Sequence, residues 1–104
     1  MTTWLRACGL GEIDVEDVLR FDHDGHAYAI YRAPDGDYFC TDGRCTHGQA
    51  NLAGGVVMGE IIECPKHGGR FSYRTGEARG IPATVDLRTY PVKIEDGAVY
   101  IGID

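Results

Sequence analysis

Two short clusters, Cys45-Thr46-His47 and Cys64-Pro65-Lys66-His67, stand sixteen residues apart in this chain, and any fold it adopts has to account for them. Two soft thiolates and two imidazoles in matched pairs suit a metal centre of mixed ligation. Side chains from two separate stretches can converge only if each stretch is a loop held against the other. More than half of the chain's fifteen glycines fall in residues 43–80 around these clusters. Such density lets backbone approach a bulky inorganic group and turns N–H groups toward it. The residues between the clusters, Val56-Val57-Met58 and Glu60-Ile61-Ile62-Glu63, predict a hairpin bent at Gly59.

The rest of the chain reads as short strands separated by turn signals. Val18 to Asp22 and His26 to Arg32 flank Asp24-Gly25, and His26 to Arg32 and Asp37 to Thr41 flank Pro34-Asp35-Gly36. Val92 to Glu95 and Ala98 to Gly102 flank Asp96-Gly97. Each Asp-Gly pair suits a tight hairpin. One stretch breaks the pattern: Asp14 to Leu19, with acidic residues interspersed with Val15 and Val18, is expected to form a turn or a short helix.

A length of 104 residues with 43% hydrophobic and 25% charged residues predicts one globular domain, too small to hold a cofactor domain beside a substrate domain. No stretch approaches the ~20 apolar residues that cross a bilayer, and a cytoplasmic location with no membrane association is expected. In that compartment the four cysteines are better explained by ligation or burial than by disulfides, although a Cys8–Cys40 bridge stays open. The formal charge of −6 disfavours nucleic acid as a partner. Residues 42–80 carry a balance of +1 and the remainder −7, so the negative excess lies outside the segment with the two clusters.

Structural zinc also accepts two cysteines and two histidines, but zinc fingers group like ligands together, as Cys-x₂₋₄-Cys then His-x₃₋₅-His. The interleaved order here favours iron and sulfide, and ligation by two cysteines on one iron and two histidines on the other defines a Rieske [2Fe–2S] centre. Cys45-Thr46-His47-Gly48 with Glu63-Cys64-Pro65-Lys66-His67-Gly68-Gly69-Arg70-Phe71 resembles the Rieske ferredoxins, more narrowly the ferredoxin components of bacterial aromatic-ring-hydroxylating dioxygenases. Weaker resemblance runs from Trp4-Leu5 through Ile81-Pro82-Ala83 to Tyr90-Pro91-Val92-Lys93-Ile94.

The resemblance implies an all-β Rieske fold: an antiparallel β-sandwich or barrel as basal domain, with a smaller cluster-binding subdomain of two loops. In a single domain spanning 1–104, residues 43–80 would form that subdomain and 1–42 and 81–104 the basal part. It implies one [2Fe–2S] cluster, with Cys45 and Cys64 on the buried iron and His47 and His67 on the outer iron at the domain tip. Respiratory-type Rieske proteins add a cysteine to each ligand loop, and a Ser and a Tyr that donate hydrogen bonds to the cluster. Here Gln49, Ala50 and Lys66 occupy the cysteine region, Gly69 stands in place of the Ser and Phe71 in place of the Tyr. With fewer donors, the potential should fall near the low end of a range of roughly −150 to +300 mV.

Only His23 and His26 remain for a second iron, and they lie at a predicted hairpin turn, so the chain should carry electrons rather than act as an enzyme. Cys8 and Cys40 read as packing residues. By resemblance the partners are a flavin-dependent ferredoxin reductase, drawing on NAD(P)H, and the α subunit of a terminal oxygenase in aromatic compound degradation, with the carrier itself a monomer. The alternatives are a small Rieske subunit of another redox complex, such as a nitrite reductase, or a structural zinc module.

Overall fold

The structure, a computed structural model, describes residues 2–46, 50–66, 68–81 and 83–103. In chain order the strands are β1 (Thr3–Gly9), β2 (Asp17–His23), β3 (His26–Arg32), β4 (Tyr38–Asp42), β5 (Val56–Met58), β6 (Ile61–Glu63), β7 (Arg70–Ser72), β8 (Ala78–Gly80), β9 (Thr89–Tyr90), β10 (Val92–Glu95) and β11 (Ala98–Ile103). A single 3-10 turn, Leu52–Gly54, precedes β5. All pairings are antiparallel, and they form three sheets with the orders β1-β11-β10, β2-β3-β4-β9 and β5-β6-β7-β8. The fold is therefore all-β, as expected.

All three hairpins signalled by Asp-Gly form, the one at Asp35-Gly36 joining β3 to β4 with Gly36 at φ 94°. Asp24 and Gly25 take φ of 50° and 76°, and Asp96 and Gly97 take 51° and 74°, between the paired ends His23↔His26 and Glu95↔Ala98. Two successive left-handed residues make the turn whose twist matches that of the flanking strands, and aspartate and glycine tolerate it best. The β5–β6 hairpin turns at Gly59 as anticipated, with φ 60°.

Of the two readings of Asp14 to Leu19, the turn holds at Val15 and Glu16 and the short helix does not, because β2 already begins at Asp17. Glu16 adopts a left-handed φ of 58°, and its N–H donates to the Arg32 carbonyl at 2.7 Å. That bond starts the β2–β3 ladder, and a long-range sheet partner overrides the local pattern.

β3 explains how the site is carried. Its side chains alternate between two cores, as the two-residue period of a strand requires. Tyr28 and Ile30 join Cys8, Ile13, Cys40, Tyr90, Val99 and Ile101 in a core between the first two sheets. Ala29 and Tyr31 face the other way, into a second core with Ala33, Leu52, Ile62, Phe71, Tyr73 and the two motif cysteines. A strand buried on both faces reads as a continuous apolar run, which is what Ala-Tyr-Ala-Ile-Tyr supplies. A large aliphatic side chain such as Ile30, fully buried here, contributes roughly 1.5–3 kcal/mol on burial. Cys8 and Cys40 are buried in the first core with no disulfide between them, in line with a packing role. Among the described residues no helix is long and apolar enough to cross a membrane.

Candidate metal centre

The first motif loop leaves β4. The Gly43 N–H donates to the Ala27 carbonyl at 2.8 Å, anchoring the loop to β3, and the Leu52 N–H returns to the Gly43 carbonyl at 2.7 Å. An isolated bridge pairs Arg44 with Asn51, and Asn51 Oδ1 then caps the 3-10 turn by accepting the Ala53 N–H at 2.9 Å. Within this frame the Cys45 N–H donates to the Ala50 carbonyl at 3.0 Å. The second loop joins β6 to β7, whose last pair is Glu63↔Arg70, and the Cys64 N–H donates to the Gly69 carbonyl at 2.7 Å. In each loop the cysteine amide bonds the carbonyl five positions later, so the two necks are closed in the same way.

Both thiols point inward. Cys45 and Cys64 are each 2% exposed and belong to the same apolar core, and neither is in a disulfide. The structure thus buries in one core the two cysteines that the spacing singled out. The matching histidines, His47 and His67, lie outside the described residues, so the full four-ligand set is not described. Among the described residues no three His, Cys, Asp or Glu side chains gather as a metal cage.

The segment after β8 forms a third wall. Ala83 and Leu87 are buried in the core that holds the cysteines, and the Thr46 hydroxyl donates to the Val85 carbonyl at 2.7 Å. Ile81 and Val85 turn outward and are 87% and 61% exposed. Sequence reasoning missed this wall: its residues carry no ligand chemistry, and only the fold brings them to Thr46.

The hydroxyls near the thiols are committed elsewhere. Tyr31 and Tyr73 stack with ring centroids 4.6 Å apart. The Tyr31 hydroxyl shares a 2.8 Å hydrogen bond with Thr41 Oγ1, and the Tyr73 hydroxyl donates to the Gly59 carbonyl. Burial is the main cause that raises both phenols above their usual range, Tyr73 to about 12, and it also pushes the Cys40 thiol up. Phe71, fully buried, offers no donor. His23 and His26 lie at the β2–β3 turn and hold acids: His23 Nε2 is 3.3 Å from Asp24 and His26 Nε2 is 2.6 Å from Asp42.

These residues fit a sulfur-ligated metal group. Two thiolates in an apolar core would be costly without a compensating cation, and thiolates are the ligands that iron–sulfur centres use. Donors at two separately anchored loop necks would keep their separation when a group is bound.

Comparison with known proteins gives a consistent picture. Residues 3–91 match the family profile described as the Rieske [2Fe-2S] domain. The ferredoxin component of the naphthalene 1,2-dioxygenase system of Pseudomonas putida is 42% identical over 100 residues, covering 96% of this chain and 95% of that protein. Among solved structures, the Sphingomonas yanoikuyae B1 ferredoxin superposes with a TM-score of 0.92 at 41% identity, over 98% of this chain and 100% of that one. The ferredoxin in the complex of reduced oxygenase and oxidized ferredoxin in carbazole 1,9a-dioxygenase gives 0.90 at 36% identity, over 94% and 91%.

Proposed function

The chain belongs to the Rieske [2Fe-2S] domain family, and from that premise we propose that it is a single-electron carrier that delivers electrons to the terminal oxygenase of an aromatic-ring-hydroxylating system. It matches the ferredoxin components of such systems over nearly its whole length, and those are electron-transfer components rather than catalysts. The observation that carries the reading is the burial of Cys45 and Cys64 in one core at two identically closed loop necks.

In this reading Cys45 and Cys64 hold one iron and His47 and His67 the other. The cluster, once bound, accepts and releases one electron without bond making or breaking. The protein's part is positional. The Ala50 and Gly69 carbonyls fix the cysteine backbones, and Phe71, Leu52, Ile62 and Tyr31 keep water from the thiolate side. The Thr46–Val85 bond ties the third wall to the first loop, and the exposed side chains of Ile81 and Val85 would offer a partner an apolar rim beside that loop. The family assignment favours an iron–sulfur cluster over a structural zinc ion.

The donor partner is a flavin-dependent ferredoxin reductase using NAD(P)H. Supporting the oxygenase as acceptor is the carbazole system, in which a ferredoxin of this fold is seen in complex with an oxygenase. Such encounters are small and transient. A cytoplasmic setting agrees with the absence, among the described residues, of any membrane-crossing helix.

The test is chemical and spectroscopic. Reconstituted protein should contain two irons and two acid-labile sulfides, appear red-brown when oxidised and give a low-g paramagnetic signal when reduced. Cys45→Ala or Cys64→Ala should abolish that signature, and His47→Ala or His67→Ala should alter it. An unchanged visible spectrum in either histidine variant would overturn the ligand assignment. Lys66→Glu or Arg70→Glu should change transfer rates and their salt dependence while leaving the spectrum intact.

A further inference from the structure

Beside the first motif loop lies a cleft of about 540 Å³ that the electron-carrier reading does not use. One wall is the β2–β3 hairpin, with Arg20 and His26; the other is the start of the loop itself, from Asp42 through Arg44 and Cys45 to Thr46. We infer that this cleft receives a carboxylate side chain of a redox partner, bound chiefly by Arg44; the inference rests on the electron-carrier reading.

The polar side chains of the cleft are engaged by other groups of the chain, with one exception. Arg20 Nε is held by both oxygens of Asp22, at 3.0 and 3.2 Å. Asp42 Oδ1 receives the Tyr90 hydroxyl and lies 2.6 Å from His26 Nε2. The Thr46 hydroxyl is spent on the Val85 carbonyl. Arg44 is exposed, and its guanidinium has no ion pair and no hydrogen bond among the described residues. An unengaged guanidinium beside a polar cleft is suited to bidentate recognition of a carboxylate.

Location gives this cation its use. Arg44 immediately precedes Cys45, so an acidic group seated on it brings the partner against the loop that holds the cluster. The body of the chain is strongly acidic, at −7 outside residues 42–80, and would repel an acidic partner there. A single local cation therefore selects orientation more than it adds affinity. The cleft is wide enough for an acidic side chain with its waters, which cost little to retain.

The test uses the reduced holoprotein and small probes in a stopped-flow instrument. Hexacyanoferrate(III) takes one electron from the reduced cluster and becomes hexacyanoferrate(II); tris(phenanthroline)cobalt(III) does the same as a cation. Arg44→Gln should slow the anionic oxidant by about threefold at low salt, the effect of one screened surface contact. It should leave the cationic oxidant unchanged or faster. Arg44→Lys should restore part of the loss. Lys93→Gln, which removes the same charge from the β1-β11-β10 sheet, should have no such effect.

At matched ionic strength, hexaglutamate should slow the wild-type reaction with hexacyanoferrate(III) saturably, and should do so less in Arg44→Gln. Arg44→Lys, which keeps the charge, should retain most of the hexaglutamate effect and serves if Arg44→Gln loads less iron, whereas Arg20→Gln, whose guanidinium is already held by Asp22, should change it little. Equal slowing with both oxidants, or hexaglutamate acting no more strongly than chloride, would overturn the inference. A wild-type protein with iron and sulfide that fails these arms refutes the carboxylate site alone. One without them refutes the electron-carrier reading.

Discussion

Gly55→Ala should unseat the second cysteine loop through a single methyl group. Gly55 ends the 3-10 turn with φ −89° and ψ −165°, a backbone conformation that alanine adopts freely, so torsional strain plays no part. Space decides the outcome. A Cβ there would lie 2.1 Å from the Glu63 carbonyl oxygen and 3.1 Å from that of Leu52. Real carbon–oxygen contacts are wider by more than about 1 Å, and both obstacles are backbone, which cannot rotate aside. Glu63 is paired with Val56 on one side and followed at once by Cys64, so relief requires parting β5 from β6 or displacing the thiol.

Overpacking of this kind costs about 3 kcal/mol or more, which at about 4–8 °C per kcal/mol for a domain of this size lowers Tm by about 12–24 °C. Gly54→Ala is the internal control: its Cβ would meet only Pro65 Cγ at 3.8 Å, an ordinary contact. That variant should stay within about 0.5 kcal/mol of wild type. Thermal unfolding by circular dichroism gives the stability difference, and iron and sulfide per chain give the loading. If Gly55→Ala melts and loads like Gly54→Ala, the close approach of Gly55 to Glu63 does not shape the loop.

Phe71→Tyr adds a hydroxyl to a fully buried side chain in the core of both cysteines; if it reaches a ligand sulfur, it should raise the midpoint potential by about 40 mV, the one-electron equivalent of ~1 kcal/mol of preferential hydrogen bonding to the reduced state. Voltammetry reads this, and a lowered potential would contradict it. Tyr73 titrates near 12 in the folded protein against an ordinary 10, chiefly through burial and next through Glu60. The folded state thus retains that proton longer, and its contribution is complete below pH 10 and lost as pH rises toward 12. Tyr73→Phe should therefore be less stable than wild type at pH 8, by about 1 kcal/mol for the lost bond to Gly59, with the gap narrowing above pH 10 in urea titrations; a constant gap would refute the assignment. Glu16 combines a left-handed φ with a carboxylate that accepts the Gly59 N–H at 2.8 Å. Both Glu16→Ala and Glu16→Gly lose that bond, but alanine also bears the φ strain and should be the less stable by about 1 kcal/mol in urea denaturation; the reverse order would refute it.

The parts legible in the sequence are those encoded locally. Asp24-Gly25 and Asp96-Gly97 specify their hairpins in two residues, and β3 and β10 appear with the expected limits because their neighbours lie one turn away. β1 carries no such signal, since it pairs with β11 from the far end of the chain. β7, β8 and β9 are two or three residues long, as in Arg70–Ser72 and Thr89–Tyr90, too short for any period to show. Their existence depends on sheet partners rather than composition. The same division applies at the site. Cys45 and Cys64 stand out by spacing, because metal chemistry constrains residue types directly, and both lie buried in one core. The third wall at Ala83, Val85 and Leu87 and the cleft at Arg44 arise from contacts between distant segments.

The loop necks also bear on redox poise. Cys45 and Cys64 each commit their own N–H to a carbonyl, at 3.0 and 2.7 Å, so neither amide is available to a cluster sulfur. Pro65, the residue after the second cysteine, has no N–H to offer. The Tyr31 and Tyr73 hydroxyls, buried in the same core, bond to Thr41 and Gly59 instead. Hydrogen bonds to sulfur are a principal means by which a protein stabilises the added electron. The closures that hold the two cysteine backbones in place thus commit both of their amides. Geometry and potential are coupled here: the bonds that make the loops rigid are bonds the reduced cluster cannot use, which is why a low midpoint is expected of this chain.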